Sequence, residues 1–189
     1  MNPSRSEKTI QPDVIEALKQ YDSPTIMNAI EKFNVRHRIK GYVGFDLQCL
    51  FPHYSPMIGY AVTAISDTTC PDRFEPDGFD ELLDRINEAP KPCVYVVQNV
   101  GSERNRSCFG GDMTFSTIQY LGAEGIVADG GIRDRAGIAA HAPGFQVFCS
   151  GLVVSHGQGG ILDFNVTVSI GGLTIQPGDL LHGDENGLL

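Results

Sequence analysis

Residues 110–134 read GGDMTFSTIQYLGAEGIVADGGIRD, and this stretch decides the architecture of the chain. It parses as a Gly110-Gly111 turn, a helix over Asp112 to Leu121, a short buried strand over Gly125 to Ala128, and a second polar glycine loop from Asp129 to Asp134. Strand-loop-helix units place their binding groups where the strands' C-terminal ends meet helix N-termini. The first loop offers backbone N–H groups from residues 111–114 at a helix start, and the second, one strand later, can lie beside it. Those N–H groups suit a carboxylate, and Arg133 can grip the same anion with a two-pronged fork. Asp112 and Asp134 could then supply oxygen ligands to a hard cation such as Mg²⁺ or Mn²⁺. The same residues also admit a purely structural reading, with Asp112 and Asp134 each capping a helix and Arg133 bridging to either. On the residues alone both readings stand.

Working outward, the chain upstream reads as helices, then strand, helix and strand. Pro12 opens a helical pattern through Lys19, and Ser23-Pro24 supplies an N-cap and first-turn proline for a second helix to about Phe33. Residues 36–56 read as a long loop with one short strand. Ile58 to Ile65 follows as a strand, Asp77 to Ala89 as a helix ended by Pro90 and Pro92, and Cys93 to Gln98 as a buried β-branched and aromatic strand. Downstream, Asp134 to Ala140 reads as a short helix and Gln146 to Cys149 as a strand. The end is β-rich over 146–189: Phe164, Val166, Val168 and Ile170 alternate with polar neighbours, then Leu173-Thr-Ile and Leu180-Leu181 follow. The pattern predicts an α/β class with a mixed sheet in a single domain, 1–189, with no internal repeat or linker.

Composition narrows the function classes. The net charge of −9 repels a phosphate backbone and no Lys/Arg run offsets it, so no nucleic-acid partner is expected. No apolar stretch approaches the ~20 residues needed to cross a bilayer. The opening MNPSRSEKTI lacks the apolar core of a secretory signal, so a cytoplasmic location is expected. Five scattered cysteines without a C-x-x-C pair disfavour both a disulfide framework and a thiolate zinc site. The histidines show no metal-ligand spacing, with His182 near Asp184 reading as a loop contact and Ser155-His156-Gly157 as a turn. A G-x-S-x-G hydrolase elbow, a dinucleotide-binding G-x-G-x-x-G and a phosphate loop with lysine are all absent.

The segment GGDMTFSTIQYLGAEGIVADGGIRD resembles the signature of the RraA-like family. That family includes the 4-hydroxy-4-methyl-2-oxoglutarate aldolases, which are also oxaloacetate decarboxylases, and the ribonuclease E regulator that names it. Its aldolase branch is marked by an Asp, twenty intervening residues and then Arg-Asp, and here Asp112 and Arg133 enclose residues 113–132. The late PGDLLHGDENG at 177–187, the helical YDSPTIMNAIEKF and the strand GYAVTAI extend the similarity over nearly the whole chain, with the site segment at 107–137 and N-terminal helices at about 12–33.

The resemblance implies a swivelling-domain-like β/β/α fold, assembled as a homotrimer or a pair of trimers with sites between subunits. It implies Asp134 as direct ligand of a divalent metal, Asp112 acting through a metal-bound water, and Arg133 binding the substrate. The backbone of Gly111, Asp112, Met113 and Thr114 would hold the substrate carboxylate, with Asp184 or Glu185 of a neighbouring subunit as candidates to complete the site. The implied activity is cleavage of a small 2-oxo acid to pyruvate through an enolate, whose charge a divalent cation would stabilise. A lysine Schiff base is poorly supported, since Lys8, Lys19, Lys32, Lys40 and Lys91 all lie outside the glycine-rich segment. The rival from another class is a non-catalytic protein-binding regulator; that branch generally lacks the first Asp, which is present here as Asp112. The sequence departs from the family in having Gly137 where many members carry an acid, and in running only to Leu189, where relatives usually continue through another strand.

Overall fold

The computed structural model describes residues 9–70 and 78–189. The elements in chain order are α1 (Pro12–Leu18), α2 (Ser23–Lys32), β1 (Gln48–Cys49), β2 (Met57–Asp67), α3 (Phe79–Glu88), β3 (Cys93–Asn99), α4 (Asp112–Tyr120), β4 (Ala123–Ile132), α5 (Arg135–His141), β5 (Gln146–Leu152), β6 (Gly160–Phe164), β7 (Val168–Ile170), β8 (Leu173–Ile175), β9 (Leu180–Asp184) and β10 (Gly187–Leu188). This is the mixed α/β class expected. Strands β2, β3, β4 and β5 run parallel, joined by α3, α4 and α5 as crossovers, while β1, β6, β9 and β10 pair antiparallel around them. The sheet order is β1-β5-β4-β3-β2-β9-β10, with β6 also on β2, and β7–β8 form a separate ribbon. Among the described residues no helix is long and apolar enough to cross a membrane.

The sheet is covered on both faces, which is why its parallel strands read as unbroken apolar runs. Along β3, Cys93, Tyr95 and Val97 face the helical layer, where Leu82 and Ile86 of α3 and Phe115 and Ile118 of α4 pack. Val94 and Val96 point the other way, against Val168, Ile170, Leu173 and Ile175 of the ribbon. Leu82 and Ile86 are four residues apart and fully buried, each contributing about 1.5–3 kcal/mol over its exposed state.

The structure revises several element boundaries. The cap of α2 is Asp22, whose carboxylate accepts from the Thr25 N–H at 2.8 Å. Ser23 lies inside the helix and is buried, its Oγ 2.9 Å from Nδ1 of His182. His182 is therefore a buried β9 residue tying α2 to the sheet, where a loop contact was expected. Asp77 lies outside the described residues, and α3 starts after Gly78. The alternation from Phe164 to Ile170 is broken into two strands, because Asn165 takes a left-handed φ of 54° and turns the chain between them. Strand β4 runs on through Asp129-Gly130-Gly131 to Ile132, with an irregularity in its β5 pairing between Ala128 and Gly131.

Candidate active site

The extension of β4 builds the site. Residues 107–109 run alongside it, with Gly131 N–H donating to Ser107 O at 3.1 Å and Phe109 N–H to Gly131 O at 3.0 Å. A Cβ on Gly131 would lie 2.6 Å from Ser107 O, so only glycine admits this approach. Arg133 N–H then donates to Gly110 O at 3.1 Å, fastening the first glycine loop to the second. The two loops that the sequence placed side by side are thus hydrogen-bonded to each other. Arg104, from a 3-10 turn at Arg104–Arg106, holds the buried Asp129 through Nε at 2.6 Å, which keeps that carboxylate out of the site.

Neither site aspartate caps its helix. The N-cap of α4 is Gly111, and Asp112 is the first helical residue, one oxygen accepting from the Met113 N–H at 2.8 Å and the other 3.0 Å from His141 Nδ1. Asp134 stands at the N-cap of α5 in a left-handed conformation, φ 61°, with no capping bond from its side chain. A non-glycine residue there carries strain, and the turn it makes swings β4 directly into α5. Its Oδ2 lies 3.0 Å from Nε of Arg133, and both side chains are partly exposed. The terminal guanidinium nitrogens of Arg133 make no hydrogen bond among the described residues.

These groups border a cavity of about 280 Å³ at the C-terminal ends of β2, β3 and β4. Arg133, Gly110, Gly111 and Thr114 enter its wall from one side; Phe79, Leu82 and Ile161 line the other, with Tyr95 and Cys108 also in the lining. Asp112 and Asp134 flank the wall without lining it. The N–H groups of Asp112 and Thr114 occupy first-turn positions that no carbonyl of their own helix reaches. Met113 differs from expectation: its N–H is taken by the Asp112 carboxylate and its side chain is 80% exposed. Burial pushes the Cys108 thiol up from its ordinary value, which disfavours the reactive thiolate.

Two partly exposed carboxylates on adjoining loops are a hard-oxygen donor set, which suits Mg²⁺ or Mn²⁺ because such ions keep several waters and need only one or two protein carboxylates. Among the described residues no cluster of three or more His, Cys, Asp or Glu groups is arranged to hold a metal. Of the acids considered for a neighbouring site, Asp184 is buried and accepts from Ser23 N–H at 2.7 Å and from Asn186 N–H at 2.8 Å. Glu185 is exposed.

Residue reading missed His141, which reaches Asp112 from one turn beyond Gly137. A Cβ at 137 would lie 2.7 Å from Asp112 Oδ2, so the glycine makes room for the carboxylate that His141 touches. The signal was available only in part: Gly137 and His141 are four apart on α5, hence on one face, but the sequence does not say that this face meets α4.

A protein named "Putative 4-hydroxy-4-methyl-2-oxoglutarate aldolase" from Halalkalibacterium halodurans is 40% identical over 108 residues, 57% of this chain and 50% of that protein. The chain thus spans about half the length of that curated relative. In fold it is similar to a crystal structure described as novel cellulases from microbes of the gut ecosystem, with TM-score 0.81, 19% identity, and coverage of 98% of this chain and 80% of the other. It is also similar to Streptomyces coelicolor RraAS2, described as an unusual member of the RNase ES inhibitor RraA protein family. There the TM-score is 0.70 and identity 24%, over 96% of this chain and 85% of the other. Residues 13–189 match the RraA-like family, described as Aldolase/RraA, and the chain belongs to that family.

Proposed function

We propose that the protein is a divalent-metal-dependent aldolase or decarboxylase that cleaves a small 2-oxo acid, such as 4-hydroxy-4-methyl-2-oxoglutarate or oxaloacetate, and releases pyruvate. The observation that carries this reading is the convergence of the start of α4 and Arg133 on one wall of a single cavity, with two carboxylates flanking that wall. Asp134 would hold Mg²⁺ or Mn²⁺ directly and Asp112 through a water. A bound divalent cation supplies Lewis-acid stabilisation of charge developing on the 2-oxo oxygen.

The protein's own groups account for binding and orientation. The substrate carboxylate meets the first-turn N–H groups of α4, on the Gly111–Thr114 segment, and the helix dipole favours it there. Arg133 adds a second, charge-assisted grip and a fixed positive charge close to where the enolate forms. Nε of Arg133 rests on Asp134, which orients the guanidinium toward the cavity. His141 holds one oxygen of Asp112 and Met113 N–H holds the other, so that carboxylate is fixed before substrate arrives.

Assembly as a homotrimer or a pair of trimers accompanies this proposal. Met113 and Tyr120, seven residues apart on α4, are 80% and 91% exposed beside the site, an apolar surface of the kind that subunit contacts cover. Glu185 is then the acid available to a neighbour. A cytoplasmic location agrees with a soluble small-acid substrate. The test is pyruvate release from both acids in the presence of Mg²⁺ or Mn²⁺, against a no-enzyme control. Turnover of either supports the proposal. Failure with these and other 2-oxo acids would overturn it in favour of a protein-binding regulator.

A further inference from the structure

The roles assigned above leave Tyr95 unused. Its place on β3 is fixed between Val62 of β2 and Ile126 of β4, on the face that carries the helices. It is 2% exposed and lines the cavity. Its hydroxyl has no hydrogen-bond partner among the described residues. Tyr95 is among the residues that line the cavity, and its hydroxyl is left for a ligand there to pair. Of the other lining hydroxyls, Ser66 donates to Gly160 O at 2.9 Å, Thr68 accepts from Cys108 N–H at 3.0 Å, and Thr114 belongs to the α4 side of the cavity with Gly111.

Position gives this hydroxyl a role. Arg133, Gly111 and Thr114 enter the cavity from the β4 side; Phe79, Leu82 and Ile161 come from α3 and β6 on the other; β3 lies between them. A 2-oxo acid anchored by its C1 carboxylate at Arg133 and extending toward Phe79, Leu82 and Ile161 would carry its C4 past Tyr95. Burial pushes the phenol above its ordinary value, so it stays protonated and serves as a donor. Beside the apolar Phe79, Leu82 and Ile161 a buried donor is selective, because a ligand without a matching oxygen leaves the hydroxyl unpaired.

We propose that Tyr95 is a specificity-determining residue whose hydroxyl donates a hydrogen bond to an oxygen on C4 of the bound 2-oxo acid, so that the site selects 4-oxygenated 2-oxo acids. This rests on the reading of the cavity as a 2-oxo acid site.

Two acids inert to aldol cleavage test it. 2,4-Dioxopentanoate carries an oxygen on C4, and 2-oxopentanoate carries none. Their dissociation constants are measured by calorimetry with Mg²⁺ present, for the wild type and for Tyr95→Phe. The wild type is expected to prefer the dioxo acid, and Tyr95→Phe to reduce that preference by about 10-fold while binding 2-oxopentanoate as before. The melting temperature of Tyr95→Phe should be unchanged or higher, since no protein partner is lost. A preference undiminished in Tyr95→Phe, or an equal loss for both acids, overturns the role of Tyr95 and leaves the 2-oxo acid site intact. Binding of neither acid by the wild type, with no turnover of any 2-oxo acid, overturns the reading of the site itself.

Discussion

Gly111→Ala separates the cost of filling space from the cost of moving functional groups. Gly111 is buried with φ −151°, an extended conformation that alanine adopts freely, so the backbone itself imposes no penalty. The added Cβ would collide with Asp134 Oδ2 and lie 3.1 Å from Cγ of Arg133. Overpacking in a closed core costs about 1–3 kcal/mol. Here the struck atoms belong to side chains that are 36% and 37% exposed and can swing toward solvent, so the stability loss should stay below about 1 kcal/mol, a shift of roughly 2–4 °C in Tm for a chain of this size. Activity should fall much further, by about 10²–10³, because Arg133 and Asp134 are both displaced. Gly144→Ala is the reverse case. Its φ is +85° with open space around the position, so alanine costs about 1–2 kcal/mol in backbone strain and touches nothing in the site. Thermal unfolding and pyruvate release, measured on both variants, should cross over: Gly111→Ala stable and inactive, Gly144→Ala weakened and active. Wild-type activity in Gly111→Ala would refute the placement of Arg133 and Asp134 at this loop.

Two further outcomes follow from the same geometry. Arg133→Ala should raise KM and lower kcat, losing about 10²–10³ in kcat/KM if the guanidinium acts as a preorganised donor, and steady-state kinetics on oxaloacetate reads both constants. His182 is buried against Ser23 and the Tyr21 carbonyl, and burial holds it below its ordinary 6.5. The unfolded chain therefore takes up the proton first as pH drops, so this part of the stability is present above about pH 6.5 and is lost as the solution is acidified toward pH 5. Tm measured from pH 8 to 5 should fall, and His182→Gln should flatten that slope; a slope unchanged in the variant would refute the assignment.

What the sequence disclosed and what it hid divide along physical lines. The two glycine loops, the helix between them and the CVYVVQ strand were legible because local rules suffice there: helical periodicity, a Gly-Gly turn, β-branched runs covered on both faces. The continuation of β4 through Asp129-Gly130-Gly131 was not, since glycines carry no alternation to read and their reason for being there is the approach of residues 107–109. The structural alternative for Asp112, Arg133 and Asp134 was undecidable from spacing; its capping part falls because Gly111 occupies one cap and the Asp134 side chain makes no capping bond, while its Arg133–Asp134 bridge is present. The Ser23–His182 contact joins residues 159 apart, which periodicity cannot foresee. Burial of Tyr95 was readable, but that it lines the cavity depends on α3 and β6, which arrive from elsewhere in the chain.

The central claim, a metal-dependent cleavage carried by Asp134 and its neighbours, is tested most directly by pyruvate release from oxaloacetate and 4-hydroxy-4-methyl-2-oxoglutarate, with Mg²⁺ or Mn²⁺ and with chelator. Spontaneous decay of oxaloacetate is subtracted with a no-enzyme control, and Asp134→Ala is assayed in parallel after its fold is verified by circular dichroism. Turnover should be abolished by chelator, restored by added metal, and missing from folded Asp134→Ala. Turnover indifferent to chelator, or retained in full by Asp134→Ala, would contradict the claim.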